Sequence, residues 1–146
     1  MIDAARLLRE EDVAWRRLGE VFEQIPHDRF EEPTLTPEGW SPKDAMFHLG
    51  GWMGDCAEQL ERMRNGTFCL TDETRETIEQ QNQAWFEVSC TMSPADVRER
   101  FAEARRRMIE AFSALDDPTP EAMEWFEESG ALHHPKHIAD LDRMGA

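Results

Sequence analysis

The chain has 146 residues, 40% of them hydrophobic and 32% charged, with a formal net charge of -15. That length fits one domain, residues 1–146, with a real core, and the composition is that of a folded protein, not a disordered one. The acid excess argues against partners that need clustered Lys and Arg, so no nucleic acid and no membrane surface is expected.

The opening "MIDAARLLREEDVAWRRL" alternates charged and apolar residues and lacks the apolar run of a signal peptide. No stretch reaches the length of a membrane span, and a cytoplasmic protein is expected. Leu8, Trp15, Leu18, Phe22 and Ile25 form one stripe of an amphipathic first helix. Pro26 and "EEPTLTPEGW" read as a loop. A second helix opens at "SPKD", with Ser41 as cap, Pro42 in the first turn and Asp44 suited to the positive end of the helix dipole. Its stripe runs Ala45, His48 or Leu49, Trp52, Cys56, Leu60 and Met63, and Asn65-Gly66 stops it.

A third, mostly polar helix is expected after Thr71 over "DETRETIEQQNQAWFEV", burying only Ile78, Trp85 and Phe86. "SPAD" at 93–96 caps a strong fourth, with Val97, Phe101, Ala104, Met108, Phe112 and Leu115 on one face. "DDPTP" ends it and leads to a short helix, "EAMEWFEE". Gly130 breaks that, and a last helix carries three histidines with Ile138, Leu141 and Met144. No strand pattern, repeat or linker appears. The expected fold class is all-α: a single-domain four-helix bundle with an additional short helix before the last.

Cys56, Cys69 and Cys90 are odd in number and form no C-x-x-C, so neither a disulfide framework nor a zinc ribbon is suggested. Cys56 reads as a buried thiol on the helix-two stripe. Trp40, Trp52 and Trp85 read as packing, and "EARRR" at 103–107 as a solvated face. Asn82, on a mostly polar helix, defaults to solvent.

The histidines carry the functional signal. His27 reads as surface. His48 falls where a core residue is due, and a neutral imidazole there needs a hydrogen-bond partner or a metal. "HHPKHIADL", residues 133–141, holds the other three. Pro135 leaves two pairings. A helix starting near His133 puts His133 and His137 on one face; one starting at Pro135 makes His134 with His137 the competing pair. Three imidazoles would suit zinc, nickel or another borderline divalent ion and leave a coordination position open, as catalytic sites do. Asp44, Asp140 and Glu128 are possible acceptors behind the ligands.

"GWSPKDAMFHLGGW" followed at the end by "HHPKHIADLDRM" resembles the DinB/YfiT-like superfamily of metal-binding four-helix bundles. There, one histidine from helix two and an H-x3-H pair from the last helix bind a divalent metal. The resemblance implies His48, His133 and His137 as ligands, and it favours His133 over His134. The stretch "ETIEQQNQAWFEVSCTMSPADVRERFAEARRRM" is similar to the ClbS/DfsB branch, and that resemblance implies Asn82 as a weak candidate near the pocket. Mycothiol-dependent maleylpyruvate isomerases resemble the chain in their N-terminal bundle but carry a further C-terminal domain, so that exact activity is not expected.

The first functional expectation is therefore an enzyme, a metal-dependent transferase or hydrolase. Its metal would activate water or a low-molecular-weight thiol for attack on a small electrophile, in thiol-dependent transfer or isomerisation or in hydrolytic detoxification. The alternative is a non-catalytic bundle that binds a small molecule or a partner, its metal structural or lost. A homodimer is compatible with the sequence, although no exposed apolar face marks an interface.

Overall fold

The computed structural model describes residues 3–70 and 74–146. The described residues form helices and turns, with no strand, as the periodicity predicts. The helices are α1 (Ala4–Glu23), α2 (Pro42–Asn65), α3 (Arg75–Cys90), α4 (Pro94–Ser113), α5 (Pro120–Ser129) and α6 (Ile138–Gly145). Short 3-10 turns lie at His27–Arg29 and His134–His137. No helix among the described residues is long and apolar enough to cross a membrane.

Local signals set the helix boundaries. Ser41 and Asp44 form a reciprocal capping box at the start of α2, with Pro42 in the first turn. Gly66 ends α2 in the left-handed region at φ 74°, where a side chain would be strained. Ser93 caps α4 and Thr119 caps α5, each ahead of a proline. The expected start of α3 after Thr71 falls on residues 71–73, outside the described residues; Thr74 is the observed cap.

The core lies among α1, α2, α4 and α5, with α2 packed most extensively on α4. Leu18 and Phe22 of α1, Leu49 and Leu60 of α2, Met108 and Phe112 of α4 and Phe126 of α5 are all buried. The stripe read for α1 packs on the core but is incomplete. Leu7 and Val21 are buried, Leu8 and Trp15 only half-buried, and Glu11 is wholly shut from solvent. On α2, Met53 takes the deep position and Trp52 is half-buried.

α3 contributes only Ser89 to the buried set and otherwise rests on the flank of α2. Ile78, Trp85 and Phe86 are half-buried, as a polar helix with a narrow apolar seam must be. α6 is tied to the loop before α2. Arg29 donates to the Met144 carbonyl at 2.6 Å, and Arg143 to that of Leu35 at 2.6 Å. These bonds bring the end of the chain beside the N-terminal half of α2, which carries His48.

The α2–α3 contact depends on a missing side chain. A Cβ at Gly51 would come within 2.7 Å of the Trp85 indole, whereas one at Gly54 meets nothing within 4 Å. In a helix interior Gly→Ala ordinarily stabilises by about 0.5–1 kcal/mol. Gly54→Ala should therefore stabilise. Gly51→Ala should instead destabilise by about 1–2 kcal/mol, because Trp85 must move. Urea unfolding followed by tryptophan fluorescence separates the two signs.

Candidate metal centre

α2 places His48 in its second turn, on a stretch where Ser41 through Leu49 are all buried. His133 and His137 approach from the far end of the chain. Their segment is not the regular α-helix expected from the i,i+4 spacing. It is a 3-10 turn, closed by Lys136 N–H to the His133 carbonyl at 3.1 Å, that passes into α6 at Ile138. Pro135 is the cause: it sits in the first turn, the one helical position it tolerates.

The two pairings left open by the sequence are resolved. His133 Nε2 lies 3.3 Å from His48 Nε2 and 3.3 Å from His137 Nε2. The ring centroids form a nearly equilateral triangle of 5.2, 5.1 and 5.1 Å. His134 points the other way. It is fully buried, and its Nε2 lies 3.1 Å from Glu11 Oε2.

Hydrogen bonding does not account for this triangle. A ring nitrogen has one in-plane direction, carrying either a proton or a lone pair, so His133 Nε2 cannot satisfy two other Nε2 atoms. A cation at the centre satisfies all three. Tetrahedral ligation with metal–nitrogen distances of about 2.0–2.1 Å implies nitrogens about 3.3 Å apart, which two of the three pairs match. One ligand atom from each residue lies within 4.8 Å of the others, so these three residues could hold a metal ion.

The chain matches the family model described as the mycothiol maleylpyruvate isomerase N-terminal domain over residues 12–141. The chain belongs to this family. It is thus a DinB/YfiT-like four-helix bundle, as its two histidine motifs suggested. No significant match to a curated protein or to a solved structure was found.

The surroundings keep the imidazoles neutral. Burial, followed by the charge of His137, lowers the His48 pKa to about 3. Burial and the neighbouring histidines lower that of His133 to about 2. Burial also lowers His137, against an opposing pull from the Asp140 carboxylate. Neutral imidazole is the form that ligates. His48 Nδ1 is buried without a hydrogen-bond partner, although the Asn82 side chain favours protonation of that ring.

Of the proposed acceptors, only Asp140 acts on a histidine of the triangle. Asp44 is taken up by Ser41 and by the Ser89 hydroxyl at 2.7 Å, and Glu128 is exposed. Trp40 packs edge-on against His48 at 5.1 Å and stacks with Phe86 at 6.0 Å, forming an apolar wall. Asn82 is half-buried rather than solvated, and its Oδ1 accepts from Trp52 Nε1 at 2.9 Å. Cys56 is the buried thiol expected, pushed up to about 12 by burial, and so no nucleophile. A crevice of about 970 Å³ between α2 and α4, beside Trp85, holds none of the three histidines. Its lining offers no comparable convergence of donors.

One long-range ion pair escaped the sequence. Arg105, within the "EARRR" run read as a solvated face, turns inward to Glu11, and Glu11 was not singled out at all. A carboxylate on an apolar stripe was the available signal.

Acid should destabilise the metal-free protein through these rings. A folded pKa below the unfolded value of about 6.5 means that the unfolded chain binds more protons. Stability is then intact above 6.5 and falls as pH drops toward the folded value, by at most about 1.4 kcal/mol per pH unit for buried His48. Melting temperatures of chelator-treated protein from pH 7 to pH 5 should show this slope, and His48→Gln should reduce it.

Proposed function

We propose that the protein binds one divalent metal ion, zinc or nickel, through His48, His133 and His137. It uses that ion to activate a low-molecular-weight thiol, or water, for attack on a small electrophile. The observation that carries this reading is the approach of three neutral Nε2 atoms that hydrogen bonds cannot satisfy together. The name of the family, which refers to mycothiol, supports a thiol as the activated group.

When bound, such a metal supplies Lewis acidity, which makes a coordinated thiol or water more acidic. Three protein ligands leave room for it. The chain supplies the rest. Trp40 and Phe86 wall one side of His48 and exclude water there. Because an indole N–H can only donate, the Trp52 bond fixes the Asn82 amide with its oxygen turned to the indole. Its N–H donors suit a carbonyl or carboxylate on the electrophile. Cys56 is too basic and too buried to serve as a protein nucleophile.

Elemental analysis of tag-free protein should find about one equivalent of transition metal in the wild type and almost none in His48→Ala or His137→Ala. Cobalt-substituted protein should develop a near-ultraviolet sulfur-to-metal band on addition of mycothiol. A band that never appears sinks the thiol version and leaves water. Wild type that takes up no zinc, nickel or cobalt sinks the metal centre itself. In the non-catalytic alternative the metal is structural, and chelation lowers Tm sharply; an open site loses far less.

A further inference from the structure

Glu11 is fully buried midway along α1, and its carboxylate is met on two sides. Arg105 of α4 donates to both of its oxygens, from Nη2 at 2.6 Å and from Nε at 3.3 Å. His134 approaches Oε2 through Nε2 at 3.1 Å. Burial pushes the carboxyl upward, but the bonds from His134 and Arg105 outweigh it and hold it below the usual range. The carboxylate is therefore ionised and can only accept, so His134 Nε2 carries the proton. Trp15, one turn along α1, packs on the His134 ring at 5.9 Å and under the Arg105 guanidinium at 5.2 Å.

The backbone of the histidine segment is held at the same place. The Gly130 carbonyl accepts from both His133 N–H and His134 N–H, at 3.0 and 2.9 Å. A Cβ on Gly130 would meet Glu11 Cγ at 2.8 Å, so the turn sits directly against the glutamate. Adjacent residues in the αR region point their side chains about 100° apart. His134 thus enters the core between α1 and α4, while His133 leaves toward His48.

We propose that Glu11 is a positioning residue for the metal centre: by anchoring His134 it aims the neighbouring His133 imidazole at His48 and His137. The inference rests on the reading that those three histidines bind metal. Glu11 touches neither metal nor substrate, and acts through one side chain and one peptide unit. Metal affinity is then set partly by an ion pair between α1 and α4, elements that carry no ligand.

Cobalt titration of the full chain, read by visible absorption and calorimetry, tests this beside melting curves in chelator. His134→Leu removes the donor, while His134→Gln keeps an N–H of similar reach. Leu60→Ala opens a cavity in α2 more than three turns from His48 and controls for general loosening. Glu11→Gln and His134→Leu should weaken cobalt binding about 10–100-fold and alter the ligand-field bands, with His134→Gln within about three-fold of wild type. Leu60→Ala should lower Tm and leave affinity unchanged. Equal affinity in wild type and His134→Leu overturns the positioning role and leaves the metal centre standing. So does a loss in Leu60→Ala or His134→Gln as large as in His134→Leu. Wild type that binds no cobalt overturns the metal reading and the positioning role with it. If Glu11→Gln does not fold, the two His134 variants decide.

Discussion

A carboxylate wholly removed from water has to be answered by charge or by hydrogen bonds, and Glu11 is answered by both. Its partners come from α4 and from the turn before α6, so one buried group joins the start, the middle and the end of the chain. Removing Arg105 would strand the charge in the core, an effect of about 3–5 kcal/mol in buried pairs generally. The rest of the arrangement follows from that junction. With the 130–134 turn held against α1, the chain has to leave toward α2, where His48 lies.

The two adjacent histidines of that turn serve in opposite ways. His134 is a hydrogen-bond donor locked in the core. His133, the next residue, belongs to a group of imidazoles kept neutral by burial and by one another. The contrast is one of environment, a carboxylate in one case and two further rings in the other. A net charge of -15 would draw a divalent cation toward the proposed centre, while the three imidazoles stay uncharged.

Much of this was readable in the chain. Capping residues are local: Ser41, Ser93 and Gly66 act on backbone groups within a few positions, so the boundaries they mark survive folding. His48 stood out because it breaks an apolar stripe. His133 and His137 stood out by spacing and by resemblance to the superfamily, and their rings do meet although a 3-10 turn replaced the expected helix. Arg105 was illegible because "EARRR" sits amid acids that could each have paired with it on the surface. Glu11 carried one local sign, a carboxylate in the gap between Leu8 and Trp15 of the stripe, but nothing near it in sequence names the groups that answer its charge.

By itself, then, the sequence determined an all-helical chain, where most of its helices begin and stop, and which residue types could make a metal centre. Periodicity and capping are short-range, and both are written in neighbouring residues. Only the tertiary structure decided that His133 and not His134 faces His48, that α3 lies on the flank instead of in the core, and that Arg105 turns inward. These outcomes depend on groups far apart along the chain, 85 positions for His48 and His133, 94 for Glu11 and Arg105 and 123 for Glu11 and His134, while α3 is placed by α2 through pairs such as Trp52 and Asn82, 30 positions apart.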